Sequence, residues 1–392
     1  MTGRILPRFD FRVDVAADSI LGKVREKNED ALLVAPELAL FGVADGMGGL
    51  ANGEVASRTA VEVVRKALAD RAAGKVLEAY QRTADLENRR QVTKLLREAL
   101  EAAHAELLKA HEDDGNAMGT TLDVCLLLRG QAFLAHVGDS RAFLVRSRAT
   151  LLLTEDHLVR DPSARPDESS RAPRPLASGL GLPAPLRIDT FHVDLHRGDT
   201  LLLATDGAYA PLGDEAAVAA LCRSPVKVVV EQIMKTSLAK GGRDNASCVA
   251  LRIEDRFVAR PDDKPFADSI RVLSETPIFA GLPTPALLAL LSAAVEVDLA
   301  EGDRLMPFET GDYCAFVVLE GVVAVGETSF GPPALLFGES LVGVDRRRPA
   351  AVARERMRCL RFRKDDVEEI TRHDAALGLE VYRRLATHLA QT

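Results

Sequence analysis

Short apolar runs rich in β-forming residues recur through the first part of this chain, and acidic residues stand where they end. Asp45 follows LALFGVA, Asp206 follows DTLLLAT, and Asp139 follows QAFLAHV after a single glycine. Each of these acids lies beside a glycine. A fourth acid, Asp244, comes just before the run ASCVALRI. Runs of this length and composition predict β-strands, and a neighbouring glycine lets the backbone turn away while the acid stays on a rigid support.

Two longer segments have the spacing of amphipathic helices. Apolar residues recur at intervals of three and four in residues 53–73 and again in residues 91–112, which end shortly before Gly115. Short strands clustered around two long helices predict an α+β fold built on sheets.

Acidic side chains gathered at strand ends repel one another and call for cations. Glu29 and Asp30, ahead of another apolar run, add two more carboxylates. Oxygen ligands suit Mg²⁺ or Mn²⁺, and since no His/Cys ligand set accompanies them, the pattern argues against zinc. The one histidine near a motif, His136, lies within a predicted strand, so we expect it to pack or bond locally. A single Asp-Gly is usually a turn, but four such acids together favour a shared metal centre.

Charge and cysteine usage exclude several classes of function. The 392 residues include 50 Lys and Arg against 58 Asp and Glu, a formal charge of −8, whereas a nucleic-acid partner calls for a basic face. The five cysteines are scattered without a CxxC pair, as in a reduced cytoplasmic protein. Neither a secretory signal nor an apolar run of membrane-spanning length is present in the sequence. We therefore expect a cytoplasmic protein with no nucleic-acid or membrane partner; the oligomeric state stays open.

Dividing the 392 residues by roughly 150 per domain gives about 2.6, so the first prediction is two domains. A charged stretch with two prolines near residue 260 marks the boundary. We place the first domain in residues 1–255, a linker in residues 256–267 and the second domain in residues 268–392. A polar, proline-rich stretch at residues 160–175 predicts a mobile surface loop within the first domain.

The first domain resembles the bacterial branch of the metal-dependent type 2C (PPM) serine/threonine protein phosphatases. Six motifs occur in the family's order: GKVREKNED at 22–30, VADGMGG at 43–49, MGTTL at 118–122, VGDSRAFLV at 137–145, ATDGAY at 204–209 and GGRDNASCV at 241–249. The resemblance implies a β-sandwich flanked by helices with a metal cluster at one end. It also implies a cytoplasmic signalling enzyme that hydrolyses phosphoserine and phosphothreonine in protein substrates.

The resemblance assigns the central metal ligands. It implies that Asp45 bridges two Mn²⁺ or Mg²⁺ ions, that Gly46 offers its carbonyl oxygen, and that Asp206 and Asp244 complete the pair. Two ions sharing a carboxylate lower the pKa of a bridging water to give hydroxide at neutral pH. The attack on phosphorus then needs no Ser, Cys or His nucleophile.

Further roles follow from the same resemblance. Glu29 and Asp30 would hold metal-bound waters, Asp139 would help to bind a third ion, and Arg25 would bind the substrate phosphate and act with the metal ligands in catalysis. A guanidinium suits bidentate contact with phosphoryl oxygens. Met47 stands where some relatives have a histidine proposed as the general acid, so protonation of the leaving group would fall to a metal-bound water.

Two alternatives to an active phosphatase remain open at this stage. Residues 46–51 fit the GxGxxA pattern of dinucleotide-binding enzymes and lie between a predicted strand and a predicted helix. Against this reading, Asp45 would face a pyrophosphate, and helix occupies the place of the second acid-ended strand. The other alternative is a catalytically inactive metal-binding signalling scaffold.

The second domain resembles the cyclic-nucleotide-binding domains, a small β-roll with flanking helices. The resemblance rests on four short motifs: PIF at 277–279, EGD at 301–303, LEG at 319–321 and FGE at 337–339. It implies a regulatory sensor in which Gly338, Glu339, Arg348 and Ala350 form the nucleotide site. Glu339 would bind the ribose hydroxyl and Arg348 the cyclic phosphate. A ligand-free docking or dimerisation module is the alternative.

Overall fold

The chain divides into two compact units, Met1–Asp262 and Asp263–Thr392. The computed structural model describes residues 4–6, 11–47, 52–114, 118–146, 149–159, 175–256, 266–309, 312–344, 349–373 and 375–391. Most of the predicted loop (residues 160–174) and of the predicted linker (residues 257–265) lies outside these ranges.

The first unit contains thirteen strands and six α-helices within the described residues. The strands are β1 Arg4–Leu6, β2 Phe11–Ile20, β3 Ala31–Ala35, β4 Leu40–Ala44, β5 Gly46–Met47, β6 Gly119–Thr120, β7 Leu122–Leu128, β8 Gln131–Val137, β9 Arg141–Arg146, β10 Ala149–Leu152, β11 Asp189–Asp194, β12 Thr200–Ala204 and β13 Ala246–Arg256. The helices are α1 Asn52–Ala69, α2 Arg71–Arg82, α3 Leu86–Asp114, α4 Asp206–Tyr209, α5 Glu215–Leu221 and α6 Val226–Ala239.

These strands form a sandwich of two main sheets, β1-β2-β13-β12-β9-β10 and β11-β8-β7-β4-β3. Strand β13 packs against β3 and β4 across the layers, α1 and α3 cover the five-stranded sheet, and α6 covers the six-stranded one. Strands β7 and β8 are buried along their whole length because sheet covers one face and helix the other. Every described strand pair in the two sheets is antiparallel. The dinucleotide-binding alternative, which needs a parallel sheet, is therefore wrong.

Several predicted boundaries differ from the structure. The predicted helix at residues 91–112 is part of α3, which begins at Leu86 and ends at Asp114. The predicted helix at residues 53–73 ends at Ala69, because the side chain of Asp70 accepts a hydrogen bond from the Ala72 N–H (2.7 Å) and starts α2. At the ends of the predicted linker, residue 256 belongs to β13 and residues 266 and 267 belong to α7.

In the sequence of the second unit, two described helices precede the described strands and two follow them. Its described helices are α7 Phe266–Glu275, α8 Thr284–Ala293, α9 Lys364–His373 and α10 Ala375–Gln391. Its described strands are β14 Val295–Leu299, β15 Arg304–Leu305, β16 Phe308–Glu309, β17 Asp312–Glu320, β18 Val323–Val325, β19 Thr328–Phe330, β20 Leu335–Leu336, β21 Ala351–Ala353 and β22 Met357–Arg363.

Two antiparallel sheets make up the strand part of this unit. Their orders are β14-β22-β17-β16, with β20 beside β17, and β15-β21-β18-β19. Side chains from both sheets meet in one apolar core that includes Phe316, Val323, Phe337 and Cys359. This arrangement agrees with the predicted strands and flanking helices. The resemblance of the second unit to a cyclic-nucleotide-binding domain stays a prediction. Within the described residues, no helix is long and apolar enough to span a bilayer.

Candidate metal centre

The predicted acids meet at one end of the sandwich. Asp45 follows β4, Asp206 begins α4 just beyond β12, and Asp244 precedes β13. The end of β12 lies opposite the start of β13, since Ala204 pairs with Cys248. Strand β4 belongs to the other layer and packs against both β12 and β13. The fold therefore brings three acids from distant parts of the chain into one cluster.

Burial and mutual repulsion dominate the electrostatics of this cluster. Burial raises the pKa of Asp45 well above its usual range, and the negative charges of Asp30, Asp206, Asp139 and Asp244 raise it further. Burial and nearby carboxylates also raise the pKa of Asp30 to about 6, that of Asp139 to about 6, and that of Asp206. A positive charge placed among these carboxylates would offset their burial and mutual repulsion and stabilise their charged forms.

Two buried oxygens show what kind of group would fit. Asp30 Oδ1 and Asp206 Oδ1 are buried and make no hydrogen bond, which is uncommon for buried polar atoms. Unpartnered carboxylate oxygens suit a hard divalent cation. No three described His, Cys, Asp or Glu residues form a ready-made metal-ligand group. Mg²⁺ and Mn²⁺ still fit this site, because carbonyl and water oxygens can complete the coordination of these ions where few carboxylates are present.

Polar residues next to the acids hold them in place, although the pattern of acids at strand ends does not point to these residues. Thr121 Oγ1 accepts a hydrogen bond from the Asp45 N–H (2.9 Å), and Thr205 Oγ1 donates one to Asp30 Oδ2 (2.9 Å). Both threonines are fully buried. Their only signal in the sequence is that they belong to MGTTL and ATDGAY, the motifs around the predicted ligands.

Asn245 fixes the loop of residues 21–29, which carries Arg25 and Glu29. Its Oδ1 accepts from the Glu29 N–H (2.9 Å), and its Nδ2 donates to the carbonyls of Leu21 (3.0 Å) and Lys27 (2.9 Å). The side chain is buried and follows Asp244 directly. One amide thus ties both ends of the loop to a predicted ligand.

If the chain acts on phosphopeptides, as the resemblance of the first domain implies, we expect Asn245→Ala to lower kcat/KM for them by roughly ten- to a hundredfold, because misplacing a binding group by about 1 Å has effects of this size. KM should rise more than kcat falls, since the loop carries the predicted phosphate-binding residue. Steady-state kinetics and thermal unfolding of the same variant test this. A lower melting temperature with unchanged KM would show that Asn245 is only structural.

Arg25 lies at the exposed mouth of the cluster. Its Nη2 donates to Asp244 Oδ2 at 2.8 Å, and the two side chains are 49% and 36% exposed. The hydrogen bond to Asp244 raises the pKa of Arg25, so the guanidinium stays charged. An exposed cation beside the carboxylates is placed to meet an anionic substrate.

The loop that carries Asp139 is held by contacts to its backbone. Tyr209 donates its hydroxyl to the Asp139 carbonyl (3.0 Å), and the Arg141 guanidinium lies 4.4 Å from the centre of the Tyr209 ring. Arg141 also forms a bidentate pair with Asp156 (2.9 and 2.8 Å). These contacts keep Asp139 beside the central cluster.

His136 is bonded locally, as predicted. It contacts Asp123 and the carbonyl of Glu155 (3.0 Å), and it is 1% exposed. Burial alone would lower the pKa of His136, but the Asp123 carboxylate more than offsets this and raises it to about 9. A histidine engaged in this way is not available as a metal ligand.

The structure describes only part of the predicted nucleotide site in the second unit. Gly338 and Glu339 begin a short 3₁₀ turn, Gly338–Val342, and both are buried. Phe337 leads into the turn with a positive φ of 56°. Ala350 comes just before β21, whereas Arg348 lies outside the described residues. The structure thus places Gly338 and Glu339 in one buried turn. The contact predicted for Arg348 stays a prediction.

Acidic ligands for hard cations, next to an exposed cation for an anionic substrate, are what a metal-dependent phosphate-ester hydrolase requires. The first unit has acidic side chains at one end of the sandwich and, beside them, the exposed Arg25. Sequence comparison agrees, because the family model described as Protein phosphatase 2C matches residues 23–241.

Individual relatives point to the same family. The serine/threonine phosphatase stp of Listeria monocytogenes is 32% identical over 198 residues, which are 47% of this chain and 74% of that protein. The serine/threonine protein phosphatase PstP of Mycobacterium tuberculosis is 30% identical over 246 residues, 61% of this chain and 45% of that protein. The crystal structure of M. tuberculosis PstP/Ppp superposes with a TM-score of 0.52 at 27% identity, covering 62% of this chain and 99% of that one.

The chain belongs to the protein phosphatase 2C family, the serine/threonine phosphatases that use Mn²⁺ or Mg²⁺. The residues that match the family model all lie in the first unit.

Proposed function

We propose that this chain removes phosphate from phosphoserine and phosphothreonine in protein substrates, and that the reaction takes place at the acid cluster. The observation that carries the proposal is the meeting of Asp45, Asp206 and Asp244 from two layers, with an unpartnered buried oxygen on Asp206 and Arg25 at the mouth. Bound cations would relieve the repulsion between these carboxylates.

Asp45, the Gly46 carbonyl, Asp206 and Asp244 would hold two Mn²⁺ or Mg²⁺ ions. When bound, such ions supply an activated water and neutralise charge on the phosphoryl oxygens. Glu29 would orient water at the rim.

Three further residues complete the proposed reaction site. Asp30, fixed by Thr205, would orient water in the interior, and Asp139 would help to hold a third ion. Arg25 would bind the phosphate through its planar guanidinium.

Phosphate release from a phosphothreonine peptide, measured with Mn²⁺ and with excess chelator, tests the proposal. We expect turnover with the metal and none with the chelator. Calorimetric binding of Mn²⁺ without phosphate release from any phosphoserine or phosphothreonine peptide would favour the inactive scaffold instead.

Arg25→Ala should mainly raise KM for the phosphopeptide, by roughly ten- to a hundredfold, because the arginine binds phosphate in the ground and transition states alike. Arg25→Lys should rescue this only in part, since a point charge replaces a planar fork. Arg58→Ala, which removes an exposed arginine on α1, is the matched control and should leave KM unchanged. Unchanged kinetics in Arg25→Ala would refute the phosphate-binding role.

We further propose that the second unit regulates the phosphatase as a sensor. It forms a compact unit of its own, and its 3₁₀ turn buries Glu339, which is 4% exposed, next to a buried glycine. A ligand would change activity only by favouring one arrangement of the two units over another.

Calorimetric titration of the full chain with cyclic AMP and cyclic GMP tests the sensor. If a cyclic nucleotide binds, Arg348→Ala should weaken binding by several-fold to about a hundredfold, since it removes a charge-assisted contact. Absence of heat at millimolar ligand would favour a docking or dimerisation module. Binding that survives Arg348→Ala unchanged would show that another cation makes the contact.

A further inference from the structure

Two adjacent loops at the mouth of the acid cluster have a charge opposite to that of the whole chain. Residues 22–29 and 240–244 contain five Lys and Arg residues against three Asp and Glu residues, while the chain as a whole has a formal charge of −8. Two of those three acids, Glu29 and Asp244, are predicted to act at the metal centre, and Asp244 also pairs with Arg25. Glu26 is the remaining acid, so the outward side of the loops is basic.

The backbone holds these two loops side by side. The Lys23 N–H donates to the Gly242 carbonyl at 2.7 Å. A Cβ atom on Gly242 would lie 3.1 Å from Lys23 Cγ, so the aliphatic part of the lysine passes over this glycine. Asn245 fixes the first loop at Leu21 and Lys27, as described above. The positions from which the cations project are therefore fixed relative to Arg25.

Besides Arg25, the two loops carry four exposed basic side chains. Lys23, Lys27, Lys240 and Arg243 are exposed, and none has an ion-pair partner among the residues that the structure describes. We call these four residues the basic rim. Some exposed lysines elsewhere, such as Lys66, pair with a glutamate one helical turn away, whereas others, such as Lys75, have no ion-pair partner among the described residues. Solvation is the ordinary state of a surface lysine, so what distinguishes these four cations is their place on the two joined loops that also carry Arg25 and Asp244, where an anion can approach.

An apolar side chain interrupts the basic rim beside Arg25. Val24 is 66% exposed, between Lys23 and the arginine. An exposed valine at the mouth of a site can cover the aliphatic part of a bound residue, and its neighbours supply the charge.

We propose that the basic rim binds acidic residues next to the phosphorylated side chain, so that the preferred substrates are phosphopeptides with aspartate or glutamate flanking the phosphoresidue. This inference rests on the proposed phosphatase function. Arg25 binds the phosphate, and Lys23 and Arg243, on the two joined loops, bind the flanking carboxylates. Exposed charge pairs contribute modestly, about two- to fivefold in affinity each, and ionic strength screens them.

The test compares two phosphothreonine peptides that differ only in having Asp and Glu, or Asn and Gln, around the phosphoresidue. The measured quantity is the ratio of kcat/KM for the acidic peptide to that for the amide peptide. We expect a ratio of about five to twenty for the wild-type chain with Mn²⁺, arising mainly in KM. The ratio should fall toward one when ionic strength rises from about 0.05 to about 0.3 M.

The variant Lys23→Glu/Arg243→Glu should reduce the ratio to one or below, because its new charges repel acidic flanks. The ratio compares two substrates on the same enzyme, so a general loss of activity does not affect it. Lys75→Glu/Lys109→Glu changes the net charge equally on exposed helical positions of α2 and α3 and should keep the wild-type ratio.

Two outcomes would overturn the inference while leaving the phosphatase intact: a wild-type ratio near one, or a ratio that is the same in the wild-type and the rim variant. Hydrolysis of neither peptide by the wild-type chain would instead overturn the proposed function on which the inference rests.

Discussion

Asp206→Asn is expected to lower kcat by at least about a thousandfold at saturating Mn²⁺, because it removes a predicted ligand of the central ion pair without changing the size of the side chain. The same substitution should not destabilise the fold. Burial and Asp244 raise the pKa of Asp206, which means that its negative charge opposes folding in the metal-free chain. A neutral amide removes that repulsion.

Phosphate release and metal-free thermal unfolding give the two readouts for Asp206→Asn. Loss of turnover with an equal or higher melting temperature is the expected pair, since function and stability compete at this position. Asp214→Asn is the matched control, because Asp214 only caps α5 by accepting from Ala217 N–H (2.9 Å). Undiminished hydrolysis by Asp206→Asn would show that Asp206 is not a ligand.

The same argument predicts a graded series around the cluster. Asp45→Asn and Asp244→Asn should also nearly abolish turnover, whereas Asp139→Asn should reduce it without emptying the central pair. Asp139 differs because it belongs to a separate loop, where Tyr209 holds its backbone and burial and Asp206 raise its pKa. Calorimetric Mn²⁺ binding should fall most for Asp45→Asn, and retention of full Mn²⁺ binding there would contradict its bridging role.

Much of the first unit could be predicted because the informative residues are local. Strands β8 and β9 coincide with the runs QAFLAHV and RAFLVR, since burial on both faces makes a continuous apolar stretch. The acids at strand ends were found for the same reason. That they meet across two layers depended on the resemblance to a known family, because chain order alone does not determine how sheets pack.

The residues that position the site could not be predicted in this way. Asn245 acts through backbone groups of Leu21, Lys27 and Glu29, more than 200 positions away in the chain, and no local pattern encodes such a contact. The break between α1 and α2 at Asp70 was missed because the apolar spacing continues across it. The periodicity predicts one continuous helix, and only the structure identifies Asp70 as the residue that caps α2.

Gly46→Ala is expected to abolish turnover and to lower the free energy of unfolding by about 3 kcal/mol. Gly46 lies where three backbone segments meet. A Cβ atom there would stand 2.1 Å from the Gly53 carbonyl oxygen and 2.4 Å from the Glu29 carbonyl oxygen. Both obstacles are backbone atoms, so no side-chain rotation can relieve the overlap. The start of α1 or the loop at Glu29 must move away.

Such a movement reaches the metal centre directly. The Gly46 N–H donates to the Glu29 carbonyl at 3.1 Å, and the Gly46 carbonyl is itself a predicted metal ligand next to Asp45. Separating these segments therefore displaces a ligand and the loop that carries Arg25 in one step. Calorimetric Mn²⁺ binding should be weakened together with turnover, whereas a defect of stability alone would leave Mn²⁺ binding to the folded fraction unchanged.

Gly74→Ala is the matched control for this prediction, because it adds the same methyl group at a glycine in α2 where, apart from the local helix backbone and the neighbouring residues, no atom lies within 4 Å of the new Cβ. Alanine restricts the unfolded chain and favours a helix interior, so Gly74→Ala should raise the free energy of unfolding by about 0.5–1 kcal/mol and leave kcat unchanged. Urea unfolding of both variants, read with Mn²⁺-dependent phosphate release, separates the two effects. If Gly46→Ala keeps wild-type stability and turnover, the backbone at this junction can move to accept a methyl group. The close approach of Gly46 to Gly53 and Glu29 would then not be what holds the metal centre together.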